Sequence, residues 1–392
     1  MSTATSELGV GMVGYAFMGA AHSQAWRTAP RFFDLPLVPR MRAVAGRDGA
    51  AVRAAADRLG WDDAVTGWQE LLTRDDVGLV DVCTPGDTHA EIAVAALEAG
   101  KHVLCEKPLA NTVAEAEAMS AAAEAAAQHG VRAMVGFTYR RVPAVALARQ
   151  LVQEGRIGEV RHVRAQYLQD WLADPKAPMS WRLDKQKAGS GALGDIGAHV
   201  VDLAQHVTGE SLTGVSGLLE TFVHERPEAV SSSGLSGVAD AGRTGKVTVD
   251  DAAVFLGRLS GGGLATFEAT RFAWGRKNAI RLEVNGSKGS LAFDFEDMNL
   301  LHYYDATEES AVAGFRRIVV TEPEHPYVAA WWPPGHGLGY EHAFTHQVVD
   351  LMGDLAAGRQ PTPSFADGLR VQRVLDGVER SAAGGGGWVS LA

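Results

Sequence analysis

Apolar and polar positions along the chain fall into two textures. Through Gly136, short apolar runs alternate with helix-like stretches. Val10, Met12 and Val13 predict a short buried strand. Gly14, Ala16 and Gly19 follow at the G-x-G-x-x-G positions, and a helix-like segment runs from Ala20 until Pro30 stops it. Further strands are predicted over Met41–Ala45, Leu79–Cys83, His102–Cys105 and Ala133–Gly136. Between them lie helices over Ala50–Leu59, from a capping box at Thr88–Glu91 to Gly100, and from a second box at Thr112–Glu115 to Gly130. Strands and helices in alternation predict a doubly wound parallel sheet, an α/β Rossmann domain over residues 1–136.

Beyond residue 136 the alternation stops. A helix over Pro143–Gly155 precedes a strand over Glu159–Tyr167. Ala252–Leu259 and Leu264–Thr270 flank a Ser-Gly-Gly-Gly turn, and Ile280–Val284 and Ser290–Phe295 flank an Asn-Gly-containing turn, two hairpin signals. Glu228–Lys246, rich in Ser, Gly and Ala, is expected to be a long loop, and two helices are expected near Glu341–Ala357 and Ala366–Ala383. Residues 137–392 therefore predict an α+β domain on a large, mostly antiparallel open sheet, the domain left for substrate binding and oligomerisation if residues 1–136 hold a nucleotide.

Composition narrows the function. The 392 residues are 46% hydrophobic and 21% charged, ordinary globular values. A net charge of −11 without a Lys/Arg run argues against nucleic acid. No uninterrupted apolar run is long enough to cross a bilayer. Residues 1–8 lack the basic and apolar regions of a secretory signal, and Cys83 and Cys105 make no disulfide framework, so a cytoplasmic protein is expected.

The candidate chemistry lies where a doubly wound sheet places its ligands, at the carboxyl ends of the strands. The glycine turn lets backbone N–H groups approach a dinucleotide's phosphates, although a ligand-free turn has the same pattern. Cys105-Glu106-Lys107-Pro108 ends another strand, and Pro108 holds Lys107 out of the helical region. A lysine so placed can point into a cleft, or form an ordinary solvated pair with Glu106. Farther on, glycines from Gly189 lead into a helix running to about Val207. Asp195, His199, Asp202 and His206 make its polar stripe, which faces either a site or water. No third ligand for a metal can be placed, and no metal is expected.

Taken together, Gly14–Gly19, Thr84-Pro85, Glu106-Lys107-Pro108 and Asp195-x-x-x-His199 resemble the glucose–fructose oxidoreductase / inositol dehydrogenase (Gfo/Idh/MocA) family in content and order. Tyr167–Trp171, Ser180–Arg182 and Gly189–Ile196 are similar to sugar dehydrogenases of the levoglucosan dehydrogenase type. Ala16 in the glycine loop, and Thr138 before Tyr139-Arg140-Arg141, depart from the family's pattern.

The resemblance implies an NAD(P)-dependent dehydrogenase acting on a CH–OH group of a sugar, anhydrosugar or cyclic polyol. A cofactor-binding sensor or repressor, and an NAD-dependent glycosidase, are the alternatives on the same fold. It implies catalytic roles for Lys107, Asp195 and His199: His199 as base, Asp195 orienting it, Lys107 on the reacting oxygen through a cis Lys107–Pro108 bond. Gly14, Ala16, Phe17, Met18, Gly46, Arg47, Thr84, Pro85, His89, Glu106 and Lys107 would bind cofactor. Tyr139, Trp171, Trp181 and Arg182 would join Asp195 and His199 around substrate.

Val44-Ala45-Gly46-Arg47-Asp48 leaves NADP or NAD open and leans towards NADP, with room for a 2′-phosphate at Gly46 and Arg47 to pair with it; the alternatives are Asp48 turned inward onto the ribose hydroxyls, and Arg47 stacked over the adenine of either cofactor. A sheet face left over by the hairpins predicts a homodimer or homotetramer.

Overall fold

The structure, a computed structural model, describes residues 6–233 and 236–391. Within it the chain forms two compact units.

The first unit runs through Thr138 and takes in Tyr340–Gln372. Its elements are β1 (Ser6–Val13), α1 (Phe17–Phe32), β2 (Leu37–Ala45), α2 (Gly49–Leu59), β3 (Asp63–Val65), α3 (Trp68–Thr73), β4 (Leu79–Val82), α4 (His89–Glu98), β5 (His102–Cys105), α5 (Val113–Ala127) and β6 (Ala133–Val135). The six strands lie parallel in the order β3-β2-β1-β4-β5-β6. The order reverses between β1 and β4, where this architecture binds ligands. The expected Rossmann sheet is therefore present.

The second unit spans Tyr139–Gly339 and resumes from Arg373. Here α6 (Pro143–Gln153), β7 (Val160–Leu168) and α7 (Lys185–Ala188) precede a π-helical turn, Leu193–Gly197, that continues as α8 (Ala198–Thr208). Strands follow: β8 (Leu212–Glu220), β9 (Glu225–Ser233), β10 (Ser236–Lys246), β11 (Ala252–Leu259), β12 (Leu264–Thr270), β13 (Ala279–Gly286), β14 (Gly289–Asp294), β15 (Leu300–Asp305) and β16 (Arg316–Val319). In chain order there follow two long helices, α9 (Tyr340–Ala356), which belongs to the first unit, and α10 (Phe365–Ala383), which passes from the first unit into the second, and a short β17 (Val389–Ser390). Nine strands form one sheet, β16-β15-β14-β13-β7-β12-β11-β8-β17, antiparallel at every pair except β7 with β12.

Three expectations change. Sequence reading placed residues 340–372 with the second domain, but this segment clusters with the first unit. Phe344, Val348, Leu351 and Met352 of α9 enter the core with Trp26 and Ala29 of α1. Of the segment expected as a loop at residues 228–246, residues 228–233 and 236–246 lie instead in an antiparallel ribbon of β9 and β10, with Glu225 opposite Lys246. Small polar residues give a weak strand pattern, and backbone pairing makes the ribbon. Its base is fixed by buried Arg226, which donates to the carbonyls of Leu172 (2.6 Å) and Asp174 (2.8 Å).

The capping box at Thr88–Glu91 does not form, because Thr88 Oγ1 turns back to Pro85 O (2.9 Å). The box at Thr112 and Glu115 does, with both reciprocal bonds in place.

Candidate active site

In the first unit, β1 runs into Gly14 at φ +95°, and a Cβ there would lie 2.8 Å from the Cys83 carbonyl oxygen. Gly19 packs still closer, since its Cβ would stand 2.3 Å from Gly14 O. Ala16, between them, has an ordinary extended backbone (φ −75°), so its methyl group costs nothing in conformation. No side chain caps the first turn of α1, which begins at Phe17 and Met18, and no acidic residue lies in it. A turn of this shape before an uncapped helix N-terminus fits a dinucleotide's diphosphate.

At the end of β2 the Tyr15 ring fills the space beside Gly46, where a Cβ would come within 2.2 Å of its Cε1. Close packing by Tyr15 thus accounts for the glycine without a 2′-phosphate. Asp48 caps α2 by accepting the Ala51 N–H (2.9 Å), and Arg47 is exposed.

The ends of β4 and β5 are stapled together. Buried His89 spans two carbonyls, with Nε2 2.9 Å from Thr84 O and Nδ1 3.0 Å from Pro108 O. The Lys107–Pro108 bond is cis, as the resemblance implied. Glu106 is buried and turns inward, with Oε1 2.9 Å from His22 Nε2 and Oε2 accepting the Lys107 N–H (3.2 Å). Gly14, Thr84, Pro85, His89, Glu106 and Lys107 are thus brought together at the strand ends, with Glu106 as a support rather than an exposed contact.

In the second unit the π-helical turn carries Asp195, and the first turn of α8 carries His199. Asp250 sets the turn's start: its buried carboxylate accepts the N–H groups of Gly191 (2.7 Å) and Leu193 (2.8 Å). Burial raises its pKa, against the pull of those two donors and of Arg271. Gly191 is obligatory here, because a Cβ would lie 1.8 Å from Asp250 O. Gly209, at φ +75°, ends α8 as expected.

Asp195 Oδ2 lies 3.4 Å from Nη1 of fully buried Arg271 and 3.9 Å from Arg182 Nε. Arg182 stacks over Trp181 (4.5 Å) and Arg271 over Trp171 (5.7 Å). The His199 ring meets Tyr139 edge-on at 4.7 Å and Tyr167 at 5.8 Å. The Tyr139 and Tyr167 hydroxyls are 3.0 Å apart; Tyr167 donates to Asn278 Oδ1 (2.6 Å), and Trp171 Nε1 donates to Gln169 Oε1 (2.9 Å).

Tyr139, Trp171, Trp181, Arg182, Asp195 and His199 therefore share one neighbourhood. The polar stripe of α8 does not face water: His199 and Asp202 are buried, and Arg140 grips Asp202 through both carboxylate oxygens (2.8 and 2.5 Å). Burial, and the nearby Arg140, Arg149 and Arg141, hold the His206 imidazole well below its usual pKa.

Sequence reading gave no role to His22, Asp81, Asp250, Arg271 or Tyr167, although Tyr167 opens a stretch that carries the resemblance. The double aspartate before β11 was a visible signal for Asp250. A polar residue inside the apolar run Leu79–Val82 was the signal for Asp81.

Residues 8–137 match the oxidoreductase family with an NAD-binding Rossmann fold, and residues 145–292 match the GFO/IDH/MocA C-terminal domain. The chain belongs to the Gfo/Idh/MocA oxidoreductase family. Levoglucosan dehydrogenase of Pseudarthrobacter phenanthrenivorans is 41% identical to this family member over 380 residues, 96% of each chain. A crystal structure of an oxidoreductase domain protein from Kribbella flavida superposes with a TM-score of 0.94 at 70% identity, covering 99% of this chain and 100% of that one. Levoglucosan dehydrogenase in complex with NADH and levoglucosan superposes with a TM-score of 0.91 at 40% identity, covering 98% and 99%. The Gfo/Idh/MocA member described here is accordingly an oxidoreductase with an NAD-binding Rossmann domain.

Proposed function

We propose that the chain oxidises a secondary hydroxyl of an anhydrosugar or related pyranose with NAD as hydride acceptor. The observation that carries this is the pairing of Asp195 with His199 on successive turns of one buried helix start, walled by Tyr139, Tyr167 and Trp181. The likeness to a dehydrogenase solved with levoglucosan supports the substrate class.

A bound nicotinamide supplies the acceptor for hydride. His199 takes the hydroxyl proton, since an imidazole exchanges protons near neutrality. Asp195, steadied by Arg271 and Arg182, orients the ring and offsets the imidazolium charge. Lys107 donates a hydrogen bond to the reacting oxygen and eases its developing negative charge. The tyrosines and tryptophans offer faces to the sugar's C–H surface and polar edges to its hydroxyls.

NAD is preferred over NADP in this reading. Packing of Tyr15 against Gly46 accounts for that glycine without setting aside space for a 2′-phosphate. Arg47 then stacks on or brushes the adenosine as an exposed side chain.

A second copy of the chain covers the outward face of the nine-stranded sheet, where Leu218, Val254, Leu256 and Leu264 are exposed beside the pairs Arg164–Glu283 (2.6 Å) and Arg281–Asp294 (2.8 Å). Both cysteines are free and buried, in keeping with the cytoplasm. Among the described residues no helix is long and apolar enough to cross a membrane.

The test is nicotinamide reduction by purified protein against a panel of anhydrosugars, sugars and inositols, with both cofactors. Activity with an anhydrosugar and NAD is expected, and His199→Ala should lower kcat by about 10²–10⁴ while cofactor still binds. Near-normal turnover in that variant would remove His199 from the mechanism. A preference for NADP that Arg47→Ala abolishes would overturn the cofactor assignment.

A further inference from the structure

Beneath the Glu106-Lys107-Pro108 turn, the first unit holds charge where a doubly wound sheet normally holds hydrocarbon. Asp81 sits in β4 between Val80 and Val82, and all three are fully buried. His22, on the inner face of α1, places Nδ1 3.0 Å from both Asp81 carboxylate oxygens and Nε2 2.9 Å from Glu106 Oε1. Trp26 Nε1 donates to Asp81 Oδ2 (2.7 Å), and the Cys83 thiol lies 3.5 Å from Oδ1. The line ends on Lys107, whose backbone N–H is held by the other Glu106 oxygen. Gly136 makes room for it, because a Cβ there would lie 2.7 Å from Glu106 Oε1.

Both ring nitrogens of His22 face carboxylate oxygens, which only accept. The imidazole therefore donates twice, as the cation. Burial works against that charge, but the Asp81 carboxylate raises the pKa well above its ordinary value. His22, Asp81 and Cys83 each bring a ligand atom within 4.8 Å of the others, yet this is no metal site. His22 Nδ1 and both Asp81 oxygens are already engaged, and burial pushes the Cys83 thiol pKa up, keeping it protonated. Such a line of ionisable groups is rarely worth more to stability than apolar side chains of the same volume. Its course, from the sheet's centre to the residue beside Lys107, points to a different use.

We propose that His22 is a positioning residue for Lys107: bound to Asp81, it clamps the Glu106 carboxylate inward, and Glu106 fixes the backbone from which the lysine projects. The proposal rests on the reading of Lys107 as the donor to the reacting oxygen.

His22→Gln tests it, because glutamine can donate to Asp81 or to Glu106 but not bridge them. Expected is a fall in kcat of about 10–100-fold, the scale of a small misplacement at a reacting centre, with sugar KM and NAD affinity within a few-fold of wild type. Glu106→Gln should show the same fall, and the double variant should be no worse than either single one. A double variant that loses the product of the two single effects would overturn the proposal. His22→Gln combined with Asp81→Asn relieves the lone buried carboxylate, so its melting temperature should recover while kcat does not. Recovery of both would mean that His22 only neutralises Asp81, and the proposal would fail.

A readout independent of turnover is the acylation rate of Lys107 relative to exposed Lys176, measured by peptide mass mapping. It should change several-fold in His22→Gln. An unchanged rate would overturn the positioning role even if no sugar substrate is found. An inactive wild type with a changed rate would overturn the dehydrogenase reading and leave the positioning role standing.

Discussion

Asp250→Asn is the substitution whose effect can be worked most directly from the structure. The Asp250 carboxylate accepts two backbone N–H groups, from Gly191 at 2.7 Å and Leu193 at 2.8 Å, where the π-helical turn begins. Hydrogen bonds to a charged acceptor contribute about 1.5–3 kcal/mol each. Asparagine keeps one acceptor and turns its NH2 against the other N–H, leaving a buried donor unpaired at a cost of about 1–3 kcal/mol. Against this stands the burial that raises the Asp250 pKa, a penalty the neutral amide escapes. The net destabilisation is about 2 kcal/mol, which lowers the melting temperature of a domain of roughly 150–250 residues by about 4–8 °C. Thermal unfolding followed by tryptophan fluorescence measures this directly. Because the same turn carries Asp195, kcat should fall as well at temperatures where the variant is fully folded. A melting temperature within about 1 °C of wild type, together with unchanged kcat, would show that the two N–H groups do not depend on the carboxylate.

Two other perturbations separate contacts from patterns. Gly19→Ala would ordinarily stabilise a helix, but here the new methyl group meets Gly14 O at 2.3 Å, so a loss of about 1–3 kcal/mol and weaker NAD binding are expected, read by melting and by titration calorimetry. The His22 imidazolium gives a pH signature. Its folded pKa lies above the unfolded 6.5, so its contribution is fully present below 6.5 and is lost as pH rises through the folded value, with a slope of about 1.4 kcal/mol per pH unit in that window. Urea unfolding across the alkaline range should show this decline in wild type and not in His22→Gln. Parallel curves would mean the ring is neutral in the folded protein.

Local signals were legible in the sequence wherever backbone conformation is set by neighbours. The glycine turn, the Thr112 box, the Gly209 cap and the alternation of strands and helices all have causes within a few residues. Misreadings came where a distant group competes. Thr88 carries a capping pattern, but its hydroxyl prefers the turn before it. Nothing local reveals that Tyr15 packs against Gly46. Arg271 reaches Asp195 across 76 positions and His22 reaches Glu106 across 84, separations at which periodicity carries no information. Asp195 and His199 were visible as a pair one turn apart, yet their arginine and tyrosine surroundings were not.

The return of α9 to the first unit has a consequence for synthesis on the ribosome. Trp26 and its neighbours on α1 lack the Phe344, Val348, Leu351 and Met352 side chains until the whole of Tyr139–Gly339 has been translated. At roughly 5–20 residues per second that is a wait of about 10–40 s, during which an apolar flank of the nascent nucleotide-binding layer stands open to chaperones. A gene fragment stopped at residue 136 would leave that flank open permanently and should yield insoluble protein.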